Sequence, residues 1–181
     1  LSVAGFFLGR NRALVSANGN TKDLHSLPSY YGHNVALSAL VPALTLLAIW
    51  LLVQPILIES RVSSMIPEES IAEGANISLV MSDVRRVAEG LDIAVAQGAM
   101  TADQARNLRA DLADLRSRLG EVGVALGSEV RPEVLNAAQT YRSMSNTGNT
   151  VMTVLVALLA LGGFAWSYGR THKDFRARNV V

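Results

Sequence analysis

Hydrophobic and polar positions fall along this chain in blocks. From Asn34 to Ile58 there is no charged side chain, and Leu, Ala, Val and Ile dominate. An α-helix of about 20 apolar residues crosses a bilayer, so this block predicts a membrane span with room for tilt. Pro42 and Pro55 lie inside it. Membrane helices tolerate proline where neighbours or local adjustments satisfy the freed carbonyls. Between Val35 and Ile58 the only amide side chain is Gln54; its place near the far end reads as interfacial. A second block, Thr150 to Tyr168, is also uncharged and has Trp166 and Tyr168 at its exit, before Gly169-Arg170. Leu1 to Gly9 is a shorter apolar run that meets Arg10 and Arg12. An abrupt change from apolar residues to arginine is a common membrane exit, so it reads as the tail of a span whose beginning is missing. The chain starts at Leu1 rather than Met, and we read it as a piece of a longer protein.

Residues 10–33 read as a polar loop. Ser16 to Asn20 suggests a turn, because Asn-Gly tolerates positive φ, and Leu27-Pro28 predicts an extended dipeptide before the next helix. Tyr30, Tyr31 and His33 then carry amphipathic rings suited to the headgroup level.

Residues 59–149 are different in kind: 13 acidic residues, 9 arginines and no lysine, a net charge of −4. A first helix is predicted from about Pro67 to Gln97, since Val80, Val84, Val87, Leu91 and Val95 follow a 3.6-residue period. Gly98 suits the position just past its end. Thr101 and Gln104 make a capping box that opens a second helix. Its Ala105, Leu108, Leu112, Leu115, Leu119, Val122 and Leu126 repeat at alternating three and four, an a/d seam. Asp114 and Arg118 add a favourable i,i+4 pair. The two helices are expected to fold back on each other as a hairpin through the 97–101 turn. Gly120, Gly123 and Gly127 weaken the end of the second. Pro132 can start a third helix, which carries Val134, Leu135, Ala138 and Tyr141 towards the hairpin and leads into the next span.

The fold class that follows is an all-α membrane protein, with two complete transmembrane helices, plus the tail of a third, flanking an external helical-hairpin domain. By residue, the expected order is a helix end at 1–9, a loop at 10–33, a span at 34–58, a helical domain at 59–149, a span at 150–168 and a basic tail at 169–181. Charge sets the orientation. Arg10, Arg12 and Lys22 against Asp23 give the loop +2, and Arg170, Lys173, Arg176 and Arg178 against Asp174 give the tail +3. Lys and Arg near span ends mark the cytoplasmic side, and these two segments lie two crossings apart, so both are expected there. The acidic domain is then external: periplasmic, for a multi-pass protein of a bacterial inner membrane. Arg61 is a mild exception.

Candidate chemistry is sparse. The absence of cysteine excludes disulfides, thiolate metal sites and cysteine nucleophiles. His25, His33 and His172 lack a second ligand at i+3 or i+4, so no metal site is assigned. There is no P-loop and no GxGxxG opening a helix. Gly123-x-x-x-Gly127 has only the form of a membrane-dimer motif, because it lies in the polar domain. Glu68, Glu69, Asp111 and Asp114 read as a solvated face. No catalytic or cofactor-binding residue is assigned, no cofactor is expected, and an enzymatic activity is not expected. A net charge of +1 gives no reason to expect nucleic acid. The lack of charge inside either span argues against an ion path through them. The basic tail could lie on anionic lipid at ~1 kcal/mol per residue, although topological anchoring suffices to explain it.

Gly9-Arg10-x-Arg12-Ala13-Leu14, then Leu24-His25-Ser26-Leu27-Pro28-Ser29-Tyr30-Tyr31-Gly32 and Asn34-Val35-Ala36-Leu37, resemble the N-terminal region of the PstC-type permease subunit of alphaproteobacterial phosphate ABC transporters. The likeness extends to the Trp50–Pro55 exit and to Arg176-Ala177-Arg178-Asn179, whereas the hairpin resembles nothing sharply. The resemblance implies an inner-membrane subunit of a phosphate importer. It would work with a second permease subunit, an ATPase subunit that hydrolyses ATP, and a periplasmic phosphate-binding protein. The core of further membrane helices that forms the phosphate path in such proteins is not in this chain, so no path residue carries over. The span–helices–span pattern also fits the sensor region of a membrane receptor or kinase, or an accessory subunit of a larger membrane complex.

Overall fold

The computed structural model describes residues 1–67, 76–108, 117, 119–120, 123, 131–172 and 174–179. Among the described residues every regular element is helical. The principal helices are α1 (Ser2–Ser16), α2 (Pro28–Ser63), α3 (Ile77–Ala96), α4 (Ala102–Asn107) and α5 (Pro132–Arg170), with short 3-10 turns at Thr21–Asp23 and Ala177–Asn179. The chain divides into two compact units. The first holds Leu1–Leu51 and Thr150–Val181, and the second holds Leu52–Asn149.

Both apolar blocks lie inside helices much longer than themselves. With 36 residues in α2 and 39 in α5, the rise of 1.5 Å per residue makes them about 54 and 58 Å long. The hydrocarbon core of a bilayer is about 30 Å thick, so each helix needs two solvents along its length. The most apolar windows of α2 and α5 are only 17% and 11% buried. A core helix of a water-soluble protein would be mostly buried there. These two expose large side chains instead: Val41, Leu44, Leu51 and Leu52 on α2, and Val154, Leu158 and Leu161 on α5. Helices that are apolar all round belong in a membrane or deep in a large core, and the exposure selects the membrane.

In the first unit small residues face inwards. Gly5, Gly9 and Ala13 are buried on α1, and Val35, Ala39 and Ala43 on α2, each series at four-residue spacing. Residues 10–33, read from the sequence as a loop, are helical at both ends: α1 runs on to Ser16, and α2 begins at Pro28. Arginine has good helix propensity, and Pro28 at the first helical position gives up no intrahelical hydrogen bond. The remaining turn uses Asn18 and Gly19 at φ 52° and 80°. Tyr31 is fully buried; it packs 6.4 Å from the ring of Phe175, beside Ala13 and Ala177.

The second unit has a conventional core. On α3, Val80, Val84, Val87 and Leu91 are buried as the period predicts, together with Met81, Ala88 and Ala94. They meet Ile58 and Val62 from the end of α2, and Val134, Leu135 and Ala138 from the start of α5. Asn76 caps α3 by accepting from the backbone N–H of Ser78, and Gly98 ends it at φ 75°. The capping box of α4 is complete: Gln104 N donates to Thr101 Oγ1 at 3.1 Å, and Thr101 N donates to Gln104 Oε1 at 2.8 Å. The second helix of the sequence reading does not run unbroken through Leu108, however. Leu108 is extended at ψ 113°, and the carbonyls of Ala105 and Leu108 accept from Gln139 Nε2 on α5 at 3.2 and 3.0 Å. These two bonds hold the end of α4 against α5. Ala105 and Leu119 of the seam are fully buried. Leu112, Leu115, Val122, Leu126 and the Asp114–Arg118 pair lie outside the described residues. The third helix and the last span are one continuous helix, α5. Two polar clamps join elements here: Arg142 to Asp92, and Gln54 Nε2 of α2 to Asn149 Oδ1 of α5 at 3.0 Å.

Leu91 has no exposed surface, so truncating it leaves a cavity. Leu91→Ala is expected to cost about 2–5 kcal/mol, read as reduced amide-exchange protection along α3 in the detergent-solubilised chain. Unchanged protection would mean that Leu91 is not part of the cooperative core.

Candidate functional site

The first unit gathers the basic segments that sequence places two crossings apart. Arg12 of α1 donates through Nε to the carbonyl of Thr171 at 3.2 Å, and its guanidinium lies 4.4 Å over the ring of Tyr168 near the end of α5. The contact requires α1 to run on past Leu8, which it does, and the aromatic face favours the cation. Arg170 lies 5.2 Å over Trp166. Loop and tail therefore share one end of this unit, as two apolar crossings require.

A buried polar pair lies beneath them. Asn34 Nδ2 of α2 donates to Ser167 Oγ of α5 at 2.7 Å, and Thr171 Oγ1 donates to the carbonyl of Ser167 at 3.0 Å. All three side chains are almost wholly buried. An interhelical hydrogen bond in a membrane protein contributes about 0.6 kcal/mol on average, so this pair sets register more than affinity. A cleft of about 150 Å³ opens beside it, lined by Asn34, Ser38 and Arg170. A larger one, about 460 Å³, lies along α1 and the end of α5 with Arg12 on its wall.

The backbones come close enough for these contacts because of glycine. A Cβ on Gly9 would meet Val35 Cγ2 at 2.7 Å, and one on Gly32 would meet Phe6 at 2.7 Å. At Gly163 an added Cβ would collide with the backbone carbonyl of Ser38. The signal for the α1 seam was present in the sequence as Gly5-x-x-x-Gly9-x-x-x-Ala13, small residues at the spacing that lets membrane helices approach. The Arg12–Tyr168 and Asn34–Ser167 pairs, separated by well over a hundred residues, had no such local signal.

The three histidines serve separate contacts. His33 packs edge-on to Phe6 at 5.0 Å, His172 Nδ1 lies 2.6 Å from the carbonyl of Arg170, and His25 is exposed. Among the described residues no group of three His, Cys, Asp or Glu is placed to hold a metal. Glu68, Glu69, Asp111 and Asp114 lie outside the described residues. The arrangement can anchor, align and present positive charge at one end of an apolar bundle.

Gly163→Val is expected to disrupt the first unit, because backbone cannot yield as a side chain would, whereas Gly162→Val, where a Cβ meets nothing within 4 Å, is tolerated. Thermal aggregation in detergent compares them; equal midpoints would mean that α2 and α5 do not approach closely at Gly163. No curated protein matches the chain, and no solved structure does. A family model described as phosphate ATP-binding cassette transporter does match, across residues 1–165, and with two apolar helices that expose their large side chains, the chain belongs to that transporter family and to the membrane.

Proposed function

We propose that this chain is the N-terminal membrane and external module of a PstC-type permease subunit, supporting phosphate import across a bacterial inner membrane. The observation that carries this reading is the family match over residues 1–165, which includes all of α1 to α4 and most of α5. Consistent with it, α2 and α5 hold large apolar side chains outwards, as helices in lipid would. ATP hydrolysis would belong to a separate ATPase subunit, and the module itself would not be an enzyme. A second permease subunit and a periplasmic phosphate-binding protein complete the expected assembly.

The external placement of residues 59–149 rests on charge. This segment carries −4, while the flanking segments at 10–33 and 169–181 carry +2 and +3; positive charge near span ends is retained in the cytoplasm. On this reading the second unit is a periplasmic accessory module, placed to meet the binding protein or a neighbouring membrane complex.

Two measurements test these statements. The chain has no cysteine, so single cysteines report sidedness cleanly. Ala102→Cys is expected to react with a membrane-impermeant maleimide in intact spheroplasts, and Lys22→Cys only after permeabilisation; the reverse pattern would overturn the orientation. For the transport role, deleting residues 65–145 from the native protein is expected to lower phosphate uptake or to remove a partner from the purified membrane complex. Unchanged uptake together with an unchanged set of subunits would leave the module without a role in the importer.

A further inference from the structure

The larger cleft of the first unit has features that neither anchoring nor phosphate import uses. On α1, Leu8, Asn11, Arg12 and Val15 follow one another at i, i+3, i+4 and i+7, which puts them on one helix face, and all four line the cleft. The opposite wall is Tyr168 and Thr171. Arg12 is held there at two points, by the Thr171 carbonyl through Nε and by the Tyr168 ring under the guanidinium plane. That leaves the two Nη groups as a fixed fork of donors, and among the described residues no salt bridge engages Arg12. A planar fork matches two oxygens of a phosphate better than a point charge does. Asn11 adds an exposed amide on the same wall.

The surroundings select how the phosphate is presented. Leu8, about one turn before Arg12, is 45% exposed, and Val15 beyond it is 76% exposed. The cleft thus has an apolar flank that continues into the Leu1–Leu8 run on one side and a cation in its middle. Its other wall lies where the apolar block of α5 ends in Trp166, Tyr168 and Arg170, the residue types that mark the headgroup level. A free anion reaching one guanidinium in an open cleft must give up its translational freedom. A lipid is already confined to that surface.

We propose that this cleft is a headgroup site for an anionic phospholipid, with the phosphate on the Arg12 guanidinium and the acyl chains along the Leu8 side. The proposal rests on the membrane placement of α2 and α5 and not on phosphate import.

Native mass spectrometry of the detergent-solubilised 181-residue chain tests it with phosphatidylglycerol, phosphatidylcholine and inorganic phosphate as probes. The wild-type chain is expected to retain phosphatidylglycerol in preference to phosphatidylcholine. Arg12→Gln should lower that retention about tenfold, as loss of a charge-assisted contact implies. Lys22→Gln, which removes an exposed cation outside the cleft, should leave it unchanged. Equal retention of the two lipids by the wild type would overturn the site, and that comparison needs no variant to fold. An equal loss in Lys22→Gln would reduce the effect to diffuse charge. Displacement of phosphatidylglycerol by millimolar inorganic phosphate would make it a site for the free anion instead. None of these readouts involves uptake, so failure of the import reading would leave them interpretable.

Discussion

Backbone-to-backbone approach between helices is the constraint on which the first unit depends. Lipid tails are as apolar as leucine, so burying leucine between membrane helices gains little, and association comes from packing and interhelical hydrogen bonds. Gly9 against Val35, Gly32 against Phe6 and Gly163 against the Ser38 carbonyl bring three segments into that range. Once they are close, short polar side chains can meet. Asn34 reaches Ser167 only because the backbones carrying them approach so closely, and the Arg12 contacts to Tyr168 and Thr171 follow from the same proximity at the end of the helices.

The second unit obeys the opposite rule with parts of the same helices. There, Ile58, Val62, Leu91 and Leu135 are inside, and charged or amide groups such as Arg142, Asp92 and Gln139 join the elements at the edge. Water supplies the driving force for that arrangement, through the removal of apolar surface. The change of rule falls within single unbroken helices: α2 passes from buried alanines at Ala39 and Ala43 to buried Ile58 and Val62. Gln54, near the change, is held by Asn149 rather than left to solvent, which explains an amide at the end of an otherwise apolar block.

This division sets the physical demands on a chain of the transporter family. Its two solvents demand anchoring and alignment, and the described side chains with polar contacts provide them. Positive charge is concentrated at one end of the first unit, where Arg12 and Arg170 each lie over an aromatic ring. Charge fixed in that manner marks one end of the apolar bundle, with aromatic rings beside it.

Much of the architecture was legible from local pattern. The two long charge-free apolar blocks, the periodic valines of α3, the Thr101–Gln104 box and the turn glycines Gly19 and Gly98 are each local features, and sequence displays such signals directly. The break at Leu108 did not show, because the side chain that holds its carbonyl, Gln139, comes from α5. The burial of Tyr31 had no local signal either, because Phe175 and Ala177, which pack on it, lie more than a hundred residues away. Composition and periodicity by themselves determined that the chain is helical, crosses apolar surroundings and separates basic flanks from an acidic middle. Tertiary structure alone decided which small residues touch, how Asn34 finds Ser167 and where Arg12 is held, because those contacts depend on distances between helices that no local stretch encodes.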